Sequence, residues 1–326
     1  IDRDRFACSA SAVMGDWTHH KNASDYNRAD ASWSNNFFPC TPVVDIATRF
    51  GLYGPRLSHS TACASGLIGV LAAVRAIQDD QCDIALAGAG DAIDGLMAAG
   101  FRKMRVLATH DYPRQACRPF DSERNGFVLG EGAAMFVIER ASHALARGAR
   151  IYAEIKGGKV FADAHHVTGL ATDADVLTDL IGETLNSFDL SPSDIGHINA
   201  HGTGTTQNDL VEMRAIRRAF GDAADHLSVS ANKSSLGHLI NAAGSIELAL
   251  TVLSMRDGFA PPTLNLTKPD PECDLDCSPI VGRTDRFQHA LKLSVAFGGH
   301  LVAIALSRWN DPASGFGYPD ELRKAA

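Results

Sequence analysis

The 326-residue chain is 45% hydrophobic and 21% charged with a formal net charge of −8, which describes a globular protein able to bury a substantial core. The acidic balance argues against nucleic acid as the main partner, and no apolar run approaches the roughly 20 residues of a membrane helix. Seven cysteines, an odd number with no Cys-x-x-Cys pair, fit a reducing cytoplasm better than a disulfide framework, and Cys273 with Cys277 makes a poor zinc site, so no metal is expected.

The opening run Ile1-Asp2-Arg3-Asp4-Arg5-Phe6 has neither an initiator methionine nor a signal-peptide pattern, so the chain is expected to begin inside a longer protein. Small and apolar residues from Arg5 to Met14 predict a buried strand, and the polar stretch Gly15 to Asn36 reads as a loop. Pro42 suits the first turn of an amphipathic helix over Val43 to Phe50. Next comes a short segment, Gly54 to Gly66, that ends in small residues, and then helical spacing from Leu67 to Ile77. Cys63 is thereby expected where a strand turns into a helix. Unpaired N–H groups and the positive end of the helix dipole would lower a thiol pKa there; a buried structural cysteine is the competing reading.

Asp83 to Asp91 predicts an interior strand, and Phe127 to Arg140 a further one. The second half repeats this grammar. A short helix (Ala141 to Arg147), a strand (Ile151 to Lys156), an amphipathic helix (Ala174 to Phe188) and a strand running into a glycine-rich turn (Ile195 to Ala200) follow one another. Then come a helix over Leu210 to Phe220, a strand over Leu227 to Ala231 and a helix over Gly244 to Arg256 that is expected to start nearer His238. Leu291 to Phe297 and Leu301 to Ser307 read as a hairpin around Gly298-Gly299. With no low-complexity linker, residues 1–326 are expected to form one interlocked α/β unit of two similar halves, about 1–145 and 146–326.

The chemistry-bearing residues of the second half lie in two stretches. Asn199-Ala200-His201-Gly202-Thr203-Gly204-Thr205-Thr206-Gln207-Asn208-Asp209 puts a histidine at a strand end, followed by glycines and threonines that let a substrate backbone approach closely. Asn232-Lys233-Ser234-Ser235-Leu236-Gly237-His238 supplies a lysine and a second histidine. Each alone is more often structural, but together with Cys63 they form a set.

Thr61-Ala62-Cys63-Ala64-Ser65-Gly66, His201-Gly202-Thr203-Gly204-Thr205, Lys233-Ser234-Ser235-Leu236-Gly237-His238 and Phe297-Gly298-Gly299, in this order, resemble the motifs of the β-ketoacyl-acyl carrier protein synthases, or ketosynthases. The likeness extends through Arg118-Pro119-Phe120-Asp121, Gly126-Phe127-Val128-Leu129-Gly130-Glu131-Gly132 and Pro261-Pro262-Thr263-Leu264-Asn265-Leu266, and is nearest to the elongating type of fatty-acid and type II polyketide synthesis. It implies a thiolase-like fold of two related halves in stacked αβαβα layers. The family also carries a strand-rich region ahead of the position of Ile1. After Phe297-Gly298-Gly299 this chain departs from the usual Thr-Asn with His300-Leu301.

The same resemblance implies the roles. Cys63 takes an acyl chain as a thioester; His201 and His238 bind a malonyl thioester and stabilise the enolate left by loss of CO2. Lys233 and Glu247 hold the histidine network. The backbone N–H groups of Cys63 and Phe297 form the oxyanion hole, Phe297 also serving as a gate, and Thr203, Thr205 and Thr168 line the pantetheine and malonyl pocket. No cofactor is implied, because decarboxylation itself generates the nucleophile and substrates ride on the phosphopantetheine of acyl carrier protein. The implied partners are that carrier protein and a second ketosynthase-like subunit, identical or not. The basic run at Arg102, Lys103 and Arg105 is a candidate docking patch. Other readings are a degradative thiolase, which needs a second active cysteine that the Phe297 loop does not offer, a non-catalytic chain-length partner, in which the nucleophile is typically replaced, and an inactive fragment.

Overall fold

The computed structural model describes residues 1–13, 38–278 and 280–309; the loop expected over Gly15 to Asn36 lies outside them. The described elements run β1 (Phe6–Ser11), α1 (Thr41–Phe50), β2 (Arg56–Leu57), α2 (Ser65–Gln78), β3 (Ile84–Asp91), α3 (Gly95–Lys103), β4 (Gly132–Glu139), α4 (Ala141–Ala146) and β5 (Ala153–Ala162). They continue with α5 (Asp175–Asn186), β6 (Ile195–Asn199), α6 (Thr206–Phe220), β7 (Ser228–Ser230), α7 (Lys233–Leu236), α8 (Ala243–Asp257), β8 (Phe259–Ala260), β9 (Arg283–Thr284), β10 (His289–Ala296) and β11 (His300–Arg308).

Two mixed sheets result, one ordered β2-β1-β3-β4 and the other β7-β6-β10-β11-β5. Their first four strands correspond in order and direction. In each, two parallel neighbours (β1 with β2, β6 with β7) are followed by a parallel third strand (β3, β10) and an antiparallel fourth (β4, β11). β5 extends the second sheet antiparallel to β11; among the described residues no strand takes the equivalent place beside β4, where Met135 and Val137 are exposed.

Helices α2 and α8 pack together between the sheets, α2 against β1 and β3, α8 against β10 and β4. Helix α1 lies on β1, while α5, paired with α6, covers β5 and β11, so the layers read αβαβα. Strands β10 and β11 are buried on both faces, which is why their apolar residues run on without alternating. Leu67, Leu71, Leu248, Met255, Val302 and Ile304 fill the central layer.

The inner helices begin alike. A 3-10 turn, Ala62–Ala64, precedes α2, and another, Ile240–Ala242, precedes α8. Ala62 and Ile240 both have φ of 48°, a left-handed backbone that costs a non-glycine residue on the order of 1–3 kcal/mol and costs a β-branched one most. Three residues after each turn's middle residue stands a glycine. A Cβ on Gly66 would lie 2.4 Å from Ser245 Oγ and 2.9 Å from the Asn241 carbonyl, and one on Gly244 would lie 2.7 Å from Leu67 Cγ. The helices therefore cross at near backbone contact.

Several boundaries differ from those read in the sequence. The strand expected from Phe127 begins at Gly132, because Phe127 and Leu129 instead make single bridges to Leu107 and His238. The strand begun near Ile151 continues to Ala162, since β11 pairs with it throughout. The last helix does not reach back to His238: α8 starts at Ala243, and the Ile240 turn intervenes. Helix α3 and the small β8–β9 pair carry no strong periodicity and were not anticipated.

Substituting Gly66 by Val should lower stability by about 1–3 kcal/mol through overpacking at the α2–α8 crossing, read as a drop in the thermal midpoint.

Candidate active site

Cys63 occupies the 3-10 turn between β2 and α2 and is 6% exposed. The strained backbone at Ala62 and the hydrogen bond from Thr61 N to Ser65 Oγ set the turn at the head of α2. Burial pushes the thiol pKa up to about 12; the Lys233 charge and the cysteine's own backbone N–H pull the other way without overcoming it. This corrects the lowered thiol expected from a helix start. Desolvation of the enclosed sulfur is the largest effect, and the Asp91 and Glu247 carboxylates push in the same direction.

His201 follows β6 on a loop clamped from α6. Glu212, fully buried, accepts hydrogen bonds from the N–H groups of His201 (2.5 Å) and Gly202 (2.8 Å), and Asp209 accepts those of Thr203 (3.1 Å), Gly204 (3.2 Å) and Phe120 (2.9 Å). Thr203 and Thr205 are tied by a hydroxyl–hydroxyl hydrogen bond of 2.8 Å. Burial, partly offset by these donors, holds Glu212 up at about 7.

The segment after β7 supplies the remaining polar groups. Lys233 is wholly buried, and its Nζ donates to His201 Nδ1 (3.2 Å), to the His201 carbonyl (2.5 Å) and to Glu247 Oε1 (2.7 Å), which uses all three ammonium hydrogens. His238 Nδ1 accepts from Ile240 N at 3.0 Å, so the strained Ile240 backbone aims that donor. With both Nδ1 atoms accepting, the network assigns both imidazoles as neutral Nε2–H tautomers. Burial first, and then the Lys233 charge, keep both rings well below the usual histidine range. The rings lie 5.5 Å apart, edge to face.

Cys63, His201, His238, Thr203, Thr205, Thr168 and Phe297 line one cavity of about 140 Å³. Lys233 and Glu247 stand behind the histidines. The Phe297 turn is pinned to the segment that carries Thr168 by Gly298 N donating to the Val167 carbonyl (2.7 Å) and Asp163 N to the Gly299 carbonyl (2.8 Å). The cysteine, two histidines, three threonines and Phe297 named in the sequence thus line one cavity, with Lys233 and Glu247 behind them, whereas Arg102, Lys103 and Arg105 are exposed outside its lining.

Other residues at the site went unremarked in the sequence. Phe101 on α3 sits between Phe297 and Phe127, with ring centroids 6.4 and 5.5 Å away, and Phe127 packs on His238 at 4.9 Å. Glu212 carries no signal beyond an acidic first half of a helix, and Asp209, which closes the stretch that begins at Asn199, was given no role there. Lys292, a lysine in the middle of an apolar strand, was visible as an anomaly.

Residues 1–144 match the family model described as beta-ketoacyl synthase, N-terminal domain, and residues 152–267 match its C-terminal domain. The chain is 40% identical, over 87% of its length and 67% of the relative's, to the tetracenomycin polyketide synthase ketoacyl synthase alpha subunit of Streptomyces glaucescens. It is 42% identical to the 3-oxoacyl-[acyl-carrier-protein] synthase 2 of Coxiella burnetii, over 81% of this chain and 64% of that one. A ketosynthase structure, solved as a type II polyketide synthase acyl-carrier protein in complex with its ketosynthase bound to the hexaketide, superposes with a TM-score of 0.90 at 30% identity, covering 95% of this chain and 79% of that one. The chain spans 61% to 73% of the length of such curated relatives.

In the free protein, alkylation of Cys63 by iodoacetamide should climb about tenfold per pH unit between roughly pH 7 and 10, because the thiolate fraction grows throughout that range below a pKa of about 12. Peptide mass mapping reads the rate, and a plateau below about pH 8 would favour the lowered thiol instead.

Proposed function

The chain belongs to the beta-ketoacyl synthase family, and we propose that it is a condensing acyltransferase, a 3-oxoacyl-[acyl-carrier-protein] synthase that elongates fatty-acid or polyketide chains. The observation that carries this reading is a buried cysteine sharing a small cavity with two imidazoles whose Nδ1 atoms are both held from behind, which leaves Nε2–H as the donor. Residues 1–145 and 146–326 are read as halves of one ketosynthase domain, whose two sheets share the α2–α8 layer.

The thiol of Cys63 attacks the carbonyl of an acyl thioester on acyl carrier protein; the pantetheine sulfur leaves with the proton, and the acyl group stays on Cys63. A malonyl thioester then occupies the cavity with its carbonyl oxygen toward the Nε2–H groups of His201 and His238. Loss of CO2 leaves the electron pair on the methylene carbon as an enolate, whose oxygen those two donors stabilise. The carbon attacks the acyl-Cys63 carbonyl, the backbone N–H groups of Cys63 and Phe297 receive the tetrahedral oxygen, and the bond to sulfur breaks to give the β-ketoacyl carrier protein and free Cys63. Neutral imidazoles suit this work, since each must donate a hydrogen bond without giving up its proton. Lys233 and Glu247 are positioning residues in this scheme, and Thr203, Thr205 and Thr168 bind the pantetheine and malonyl groups.

Substrates arrive on phosphopantetheine, and decarboxylation supplies the carbanion without a further cofactor. The partners are acyl carrier protein and a second ketosynthase-like subunit, as a homodimer or heterodimer. Retention of Cys63 weighs against the non-catalytic chain-length role. No described helix is long and apolar enough to cross a membrane, and seven free cysteines suit the reducing cytoplasm to which we assign the chain.

Cys63→Ala should abolish acylation and condensation, and His201→Ala should also cut CO2 release at least 100-fold. Intact-mass spectrometry after incubation with acyl carrier protein, beside a CO2-release assay, reads both; condensation surviving in either variant would sink the assignment. Arg102 and Lys103 end α3, which carries Phe101 into the cavity wall, and Arg105 follows exposed. Reversing the three charges should weaken carrier binding about tenfold or more at low salt, and an unchanged affinity would remove this patch as the dock.

A further inference from the structure

Lys292 is the second lysine of the site, and the condensation scheme gives it no part. It projects from the middle of β10, has no solvent exposure, and is enclosed as fully as Lys233. Its Nζ ion-pairs with Glu247 Oε2 at 2.7 Å and donates to the carbonyls of Ala200 (3.2 Å) and Leu293 (2.5 Å), with Asn199 O at 3.5 Å. Ala200 immediately precedes His201, and β10 ends one residue before Phe297. One side chain therefore ties the strand leading to the Phe297 turn, the carboxylate behind the histidines and the backbone that launches His201.

The two oxygens of Glu247 are divided between the lysines, Oε1 to Lys233 and Oε2 to Lys292. A single carboxylate between two ammonium groups leaves one positive charge uncompensated. The groups around His201 are Lys233 from α7, Glu247 from α8, Lys292 from β10, His238 from the following loop, Glu212 and Asp209 from α6, and Cys63 ahead of α2. Glu212 and Asp209 are spent on backbone N–H groups of the loop, and burial raises both, so they do little to cancel that charge.

We propose that Lys292 is a positioning residue for decarboxylation: by taking Oε2 of Glu247 and the Ala200 carbonyl it leaves Lys233 to hold His201 Nδ1, which fixes Nε2–H as the donor toward substrate. The inference rests on the reading of these rings as enolate donors and deepens it. Burial and the Lys233 charge are the larger causes that lower both histidines, the Lys292 charge adds to them in the same direction, and burial brings Lys292 itself down to about 8. The sign follows from charge: removing a cation raises the proton affinity of nearby imidazoles, about tenfold for an interaction of one pKa unit.

The test is nitrogen-15 spectroscopy of the histidine rings in the full chain, with His201 assigned from His201→Asn. At about pH 6, wild-type His201 should read as a single neutral Nε2–H tautomer, and Lys292→Met, by drawing Lys233 toward the vacated Glu247 oxygen, should turn it into a mixture of tautomers. A His201 ring that stays neutral and Nε2–H in the variant overturns the proposal, whatever happens to the melting temperature. Lys292→Gln, which keeps a donor for the Ala200 carbonyl but not the charge, is read identically if the Met variant fails to fold. No acyl or malonyl substrate enters these spectra, so a chain that fails to acylate Cys63 speaks against the condensing function alone.

Discussion

Charge held out of water behind the two histidines is the constraint that the rest of the structure serves. Lys233, Glu247 and Lys292 have essentially no solvent contact, and burying three ions is costly unless they pair with one another and with surrounding backbone groups. Here the partners come from every direction. The His201 and Ala200 carbonyls come from the end of β6, the Leu293 carbonyl from β10, and the carboxylate from α8. Such a site exists only if β6, β7, β10 and α8 meet at fixed distances, so the second sheet and the inner helix layer are prerequisites of the chemistry rather than a neutral frame for it.

The inner layer explains how the nucleophile reaches that charge. Cys63 and the His238 segment arrive through equivalent turns at the heads of α2 and α8, each with a non-glycine residue forced to φ of 48°. The close crossing permitted by Gly66 and Gly244 brings the two helix heads together, and both strained turns end up in or beside one cavity. Strain of this kind persists only where surrounding packing fixes the backbone. The packing does so here because the helices are sealed between two sheets, and the same sealing desolvates Cys63, His201 and His238 together. Burial thus has opposite uses on the two kinds of group. It keeps the imidazoles neutral, as donation requires, and keeps the thiol protonated, so that sulfur must lose its proton as it attacks.

Much of the site was legible in the sequence because its residues sit in short motifs with local structural meaning. Cys63 precedes a helix, His201 follows a strand, and Lys233 opens a four-residue helix that His238 closely follows, each marked by glycine, serine or threonine. The alternation of strands and helices was equally plain where apolar runs were long, as in α2, β3 and β11. Elements fixed by partners were harder to read. β5 runs six residues past its expected end because β11 lies beside it, and α3 is a mainly exposed helix whose Phe101 matters through two distant rings.

The sequence by itself determined the alternating α/β grammar, the set of one cysteine, two histidines and a lysine, and the family those motifs belong to, since each depends on residues close together in the chain. Tertiary structure alone decided the protonation states and the division of Glu247 between two lysines. Those depend on desolvation and on distances between groups 14, 32 and 45 residues apart, from Lys233 to Glu247, His201 to Lys233 and Glu247 to Lys292. No local pattern encodes such a distance: it arises only when two sheets close on the helices between them and water is expelled from the space they share.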